Sequence, residues 1–374
     1  MKVIIFLTLF ICTEGETPVT TSLFLTSKLV SECGLTEKKL RPTKNFNESL
    51  PIDLSFSLLK FYGIDDLKQQ ISVLGQLEAV WQNPCVSWDR SKYPNRYIQL
   101  PNNVVYHPVI QHMNNINDVF AIGRLDGNVE MTSTGEVTWL PTGMLTSSCS
   151  LDLFKFPFDT QTCTIQVEML EETKLEYFES CSLSIGDPKG FLSKGQVWEM
   201  ISLSANLTKI TYRHHKTVKS TKWYSRCNFL ITMKRKHIYY MINMILPSIC
   251  LVSLQVFCLA LPPSSSQRAA FGISVLLSFA ILQSTVRKHV PTSAETTMID
   301  IYMSCQLVLG SLCTLYSLLT CQIMEAMKKR SRTRANNISL FGMKLIRVVD
   351  SIAFTLSLLS ILVLNVGSYF TIAT

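Results

Sequence analysis

The sequence predicts an extracellular all-β sandwich, immunoglobulin-like, followed by a four-helix transmembrane bundle. Three observations carry this. A short apolar leader opens the chain, a polar half rich in cysteines and turn signals follows, and four charge-free apolar segments come after residue 236.

The leader is Lys2, an apolar run from Val3 to Cys12, then Thr13, Glu14 and Gly15, the pattern of a secretory signal peptide over residues 1–17. Residues 18–236 mix short apolar and polar runs between turn signals such as Pro101-Asn102-Asn103, Asp126-Gly127-Asn128 and Gly186-Asp187-Pro188. Val129 to Ser133 reads as a strand between Asp126-Gly127 and Thr134-Gly135. Many short strands at this spacing argue an antiparallel sandwich. Cys33, Cys85, Cys149, Cys163, Cys181 and Cys227 form an even set suited to disulfides in an oxidising compartment. The triplets Asn47-Glu48-Ser49 and Asn206-Leu207-Thr208 mark Asn47 and Asn206 as glycosylation sites.

The apolar segments run over 239–261, 269–286, 301–324 and 351–374. Each approaches the ~20 residues that cross ~30 Å of hydrocarbon. Pro247 lies in the first, where a bilayer helix tolerates it. Residues 237–324 then hold three spans, 325–350 a short linker and 351–374 the fourth span. The linker carries Lys328, Lys329, Arg330, Arg332, Arg334, Lys344 and Arg347, which places it in the cytoplasm and the polar half outside. Cys250, Cys258, Cys305, Cys313 and Cys321 fall in the apolar segments and read as plain thiols.

The formal charge is +8 at pH 7, yet Lys234-Arg235-Lys236 and Lys328-Lys329-Arg330 border apolar segments, where cations meet lipid headgroups. The expected partner is therefore a lipid bilayer and not nucleic acid. His-Glu-x-x-His, Gly-x-Ser-x-Gly and glycine-rich phosphate loops are missing, so neither catalytic residues nor a cofactor is expected. His107, His112 and the adjacent His214 and His215 are candidate zinc ligands. Neighbours in a strand point to opposite faces, so they read as solvated surface histidines and no metal site is assigned.

In the second apolar segment Ala270, Ser274, Leu277, Ile281, Ser284 and Lys288 recur every three or four residues and form one helical stripe. Such a stripe fits a water-lined path and, taken alone, fits an amphipathic core helix equally well.

Cys149 and Cys163 bracket a loop whose tip is Phe156-Pro157-Phe158-Asp159. It resembles the signature loop of the pentameric Cys-loop receptors, the ligand-gated ion channels. Cys149-Ser150-Leu151-Asp152, Trp81, Trp88-Asp89, Val197-Trp198-Glu199 and the turn from Leu261-Pro262-Pro263-Ser264 to Arg268 look closest to serotonin type 3 receptors and their zinc-activated relatives. Gln196 stands where that family has glycine.

The resemblance implies a Cys149–Cys163 disulfide, and a homo- or hetero-pentamer with related subunits in the plasma membrane, at a synapse in many relatives. It implies a small extracellular ligand and a path for inorganic ions. The stripe from Ala270 to Lys288 becomes the pore lining, with Leu277 as gate. Gln267 and Arg268 fall at the selectivity position, and relatives imply cations, although Gln267 replaces their glutamate and Lys288 opposes them. Tyr106, Trp223 and Tyr224 fall in the ligand box, while Gln76 and Leu170 stand where relatives carry tryptophan. Phe156, Pro157, Phe158 and Pro291 fall where ligand binding is coupled to the pore. Cys33 with Cys85 and Cys181 with Cys227 are the other candidate pairs. A depleted box leaves a second reading open, an auxiliary subunit that needs a related partner.

Overall fold

The computed structural model describes residues 25–29, 31, 41–45, 47–101, 105–116, 128–169, 176–186, 196–212, 222–262, 265–289, 296–333 and 337–373. Eleven strands precede four long helices: β1 (Leu50–Asp65), β2 (Gln70–Gln82), β3 (Tyr97–Pro101), β4 (Ile110–His112), β5 (Asn128–Thr132), β6 (Glu136–Trp139), β7 (Thr142–Ser148), β8 (Thr160–Met169), β9 (Glu176–Ile185), β10 (Trp198–Tyr212) and β11 (Lys222–Arg235). One seven-stranded sheet runs β3-β5-β6-β2-β1-β9, with β7 also on β2, and a four-stranded sheet runs β10-β11-β8-β4. Most pairs are antiparallel, and β1 lies parallel to β9.

The strands form because their apolar residues alternate. In β2, Ile71, Val73, Leu77, Ala79 and Trp81 are all buried while their neighbours are partly open. β11 answers from the other sheet with Cys227, Phe229, Ile231 and Met233, and Phe56 meets Phe229 at 5.2 Å between ring centres. A Cβ at Gly75 would sit 2.2 Å from the Phe56 ring, so glycine is what lets that ring lie flat on β2. Gly135 takes φ +84° in the turn expected at Thr134-Gly135. The Asp126-Gly127 turn signal lies outside the described residues. Cys181 and Cys227 are disulfide-bonded with Cα atoms 5.9 Å apart, stapling β9 to β11 and so one sheet to the other. Cys85 is also disulfide-bonded; its expected partner, Cys33, lies outside the described residues.

The helices are α1 (Ile238–Ala260), α2 (Ser266–His289), α3 (Met298–Thr333) and α4 (Asn337–Ala373). All four are long and apolar enough to span a bilayer. Met241–Ile245 in α1 is π-helical just before Pro247, whose ring nitrogen has no hydrogen to donate. Most of the expected linker 325–350 is helix. α3 runs on to Thr333 and α4 begins at Asn337, since Met, Lys, Arg and Leu in this stretch are good helix formers. The 36 residues of α3 extend about 54 Å, beyond the hydrocarbon layer.

Gly75→Ala is expected to destabilise the sandwich by about 1–3 kcal/mol, because the new methyl must push a fully buried ring. A thermal melt of the extracellular half checks this. Adding Phe56→Leu should recover part of the loss.

Candidate functional site

Three regions hold the residues singled out in the sequence. The first is α2. Ala270, Ser274, Leu277, Ile281, Ser284 and Lys288 are all exposed, with Leu277 62% and Ile281 61% accessible. The opposite face carries Val275, Phe279 and Val286, buried against α1 and α3. Among the described residues, this face of the helix is thus left uncovered. Its hydroxyls are anchored to the helix: Ser274 donates to the Ala270 carbonyl at 2.9 Å and Ser278 to Ser274 at 2.9 Å. Their remaining lone pairs point outward, available to water. α2 holds no acidic residue, and Arg287 and Lys288 are both exposed at its end.

The two residues read as the selectivity pair part company. Gln267 is exposed, but Arg268 is 0% accessible and turned into the bundle. Its Nη1 donates to Asp350 Oδ2 at 2.9 Å and its Nη2 to Oδ1 at 3.2 Å. Tyr316 donates its hydroxyl to the same carboxylate at 2.9 Å, and the Cys258 thiol donates to the Arg268 carbonyl at 3.0 Å. A guanidinium excluded from water needs a carboxylate, and α4 supplies it. Of the two residues read at the selectivity position, Arg268 is thus held inside the bundle and only Gln267 is open. Asp350 was missed, although an acid at the mouth of an apolar span is itself a signal.

The second region is the joint between sandwich and bundle. Cys149 and Cys163 are disulfide-bonded, Cα atoms 5.2 Å apart. Gln161 laces the loop from inside, donating to the Asp152 carbonyl and to Asp159, both at 2.6 Å. The Phe156–Pro157 peptide is cis. Phe156 is buried, edge-on to Tyr240 of α1 at 4.9 Å, and Phe158 lies 4.9 Å from His237. Phe156, Pro157 and Phe158 line a cavity of about 50 Å³ with Ile245, Met298, Ile299 and Tyr302. The Met298 amide donates to the Phe154 carbonyl at 2.8 Å, tying the loop to the start of α3. Pro291 lies outside the described residues.

Arg235, the last residue of β11, was expected among lipid headgroups. It is buried instead, with two carboxylates. It donates from Nε to Asp159 at 2.8 Å, and from Nη1 and Nη2 to Asp66 at 2.7 and 2.9 Å. Its guanidinium carbon lies 4.2 Å from the Trp198 ring centre and 4.9 Å from that of Phe156. Burial opposes its charge, but the bonds and charges of Asp66 and Asp159 outweigh burial and raise its pKa. Its flanking lysines, Lys234 and Lys236, are exposed as expected. The alternation that buries Phe229, Ile231 and Met233 continues to Arg235, so β11 turns it inward and leaves Lys234 and Lys236 facing out.

The third region is the expected ligand box. Tyr106 packs edge-on to buried Trp81 at 6.3 Å and donates its hydroxyl to Glu176, so it belongs to the sandwich core. Tyr224 is half-buried on β11, opposite Ile210 of β10. The side chain of Trp223 and the tip that follows Tyr212 lie outside the described residues, as do His214, His215 and Leu170. The surface reading fails for two histidines. His107 stacks on Trp139 at 5.8 Å, and His112 is fully buried with its Nε2 2.7 Å from Ser147 Oγ. Among the described residues no three metal-ligating side chains converge. Asn47 and Asn206 are exposed.

Burial holds the His112 pKa at about 4, a hydrogen bond with Asn114 opposing it only in part. The unfolded chain takes up that proton near pH 6.5 and the folded chain only near pH 4. Stability is therefore intact above pH 6.5 and falls by about 3 kcal/mol as pH drops to 4. Melts of wild type and His112→Gln across this range check it, the variant losing most of the slope. Asp159→Asn, which leaves the buried Arg235 half-compensated, is expected to cost about 3–5 kcal/mol. Surface expression and melting temperature measure it.

Two family models match the chain: the neurotransmitter-gated ion-channel ligand binding domain over residues 25–237, and the neurotransmitter-gated ion-channel transmembrane region over residues 244–356. The chain is 26% identical over 289 residues to acetylcholine receptor subunit delta of Xenopus laevis, covering 73% of this chain and 54% of that one. It is 27% identical to neuronal acetylcholine receptor subunit alpha-9 of Gallus gallus, covering 70% and 53%. It is 28% identical to acetylcholine receptor subunit beta-like 1 of Drosophila melanogaster, covering 71% and 50%. The chain spans about half the length of the curated relatives it matches.

Proposed function

The chain belongs to the neurotransmitter-gated ion-channel family, and from that premise we propose that it is a subunit of an extracellular ligand-gated channel in the plasma membrane. Related or identical subunits surround a pore that opens when a small neurotransmitter-like molecule binds outside. The observation that carries this reading is the uncovered face of α2. In a five-fold ring the stripe of Ala270, Ser274, Leu277, Ile281, Ser284 and Lys288, all exposed, lines the lumen. Leu277, mid-helix and 62% accessible, becomes an apolar constriction that dewets when closed.

The gating link runs through the joint. Arg235 holds the loop tip at Asp159 and the β1–β2 turn at Asp66, while Phe156 seats on α1. A shift of β11 on ligand binding reaches both contacts through one rigid side chain. Ligand then favours the open arrangement only by its differential affinity for it. Pro291 is assigned to the receiving linker. Asn47 and Asn206 carry glycans in this reading, and a postsynaptic site follows the family.

The nearer likeness to serotonin type 3 receptors rests on residues 149–152 and 156–159. The pore is proposed to conduct cations or to be weakly selective. Gln267 is neutral at the inner mouth, and Lys288 stands at the outer one. A second reading, an auxiliary subunit, is favoured by one observation: Tyr106 is engaged in the core and does not stand open as a box wall.

Whole-cell recording tests the two. Leu277→Ser should wet the constriction and give current without ligand, and wild type should respond to one of serotonin, acetylcholine, Zn²⁺ or protons. The reversal potential in shifted sodium and chloride gradients reads the ion. Silence of both despite surface expression, with current restored by a related subunit, selects the auxiliary reading.

A further inference from the structure

The middle of the bundle holds a small cavity of about 10 Å³ between α1, α2 and α3, walled by Val252, Gln255, Leu276, Phe279, Gln306 and Gly310. We infer that it binds one water molecule, which donates to the Oε1 atoms of Gln255 and Gln306 and so ties α1 to α3 behind the exposed stripe of α2. The inference rests on the packing of the spans and not on what opens the pore.

The sequence brings both amides to this point. Gln306, Gly310 and Thr314 recur every fourth residue of α3 and share one face. Polar groups are costly against lipid, so that face turns inward, where Gln255 of α1 meets it. Gln255 Nε2 donates to Thr314 Oγ1 at 2.6 Å and to the Gly310 carbonyl at 3.3 Å. The amide nitrogen is thus committed, and the oxygen is not. Gln255 and Gln306 are each 2% exposed, and among the described residues neither Oε1 accepts a hydrogen bond.

Two acceptors cannot satisfy each other. Left unpaired among apolar walls, each carries its full desolvation penalty. The occupant must therefore bring two donors in a very small volume. Water does so, since it needs about 10–15 Å³ and at least about two polar partners. A cation fits poorly. Two amide oxygens replace only part of its hydration shell, and Val252, Leu276 and Phe279 supply none of the rest.

Glycine makes the room. A Cβ at Gly310 would lie 3.6 Å from Gln255 Cγ and 3.6 Å from Leu276 Cδ1, ordinary contact with two walls of the cavity. A methyl there suits the protein and takes the place of the water. Gly272 of α2 is the matched control. A Cβ there would also meet its neighbours at ordinary distances, 3.4 to 3.6 Å, and Gly272 does not wall the cavity.

Thermal unfolding of the full chain in neutral detergent tests this by the sign of one substitution. Alanine is the better helix former and fills space, so with a dry cavity Gly310→Ala should raise the midpoint. With the water displaced and both oxygens stranded, it should lower the midpoint by about 5 °C. Gly272→Ala should hold or raise it. Gln306→Met removes one stranded oxygen, so adding it to Gly310→Ala should recover part of the loss. A density map at about 2 Å resolution should show a single peak about 2.8 Å from both oxygens. A raised midpoint for Gly310→Ala overturns the inference, as do equal losses at Gly310 and Gly272 and a map without the peak. A midpoint that climbs saturably with sodium and not with choline gives the site to a cation and overturns it too.

Discussion

One buried guanidinium stands at the joint of the sandwich and the bundle. Arg235 is excluded from water, so its charge is tolerable only because Asp159 and Asp66 close on it from two separate loops. Three stretches of chain far apart in sequence are thereby held at one point. The aromatic rings of Trp198, Phe156 and Tyr240 pack around the cation and keep the site dry. The disulfide loop has a fixed seat on α1 because its acidic end is pinned there.

The same constraint recurs one membrane thickness away. Arg268 is also buried, and Asp350 of α4 answers it with help from Tyr316. Both arginines border apolar segments; the linear reading puts Arg235 among headgroups and Arg268 at the selectivity position. Each instead ties an element to its neighbour where desolvation makes an unpaired charge expensive. The chain thus uses buried ion pairs at the two ends of the bundle and apolar packing between them, with Val256, Phe279 and Met303 in the middle. Gln255 adds a polar tie there, donating to Thr314 at 2.6 Å.

The inner face of α2 packs on α1 and α3, and its stripe from Ala270 to Lys288 is exposed among the described residues. A helix in that state is completed by other subunits or by water, which is why the six-residue stripe and the family relationship point the same way.

Periodicity determined much of this molecule. Alternation in β2 and β11, charge-free runs of bilayer length, the stripe from Ala270 to Lys288 and the Cys149–Cys163 loop are local patterns, and local patterns are written in the chain. Tertiary structure alone decided which partners the buried polar residues meet. Arg235 and Lys236 are neighbours of the same charge, and one is sealed while the other is open. His112 is buried and Tyr106 is half-buried against the core, although both are polar enough for a surface. The physical reason is that desolvation depends on what the rest of the chain places opposite a side chain. Asp66, Asp159, Asp350 and Ser147 are brought there by folding, from positions no sequence window includes.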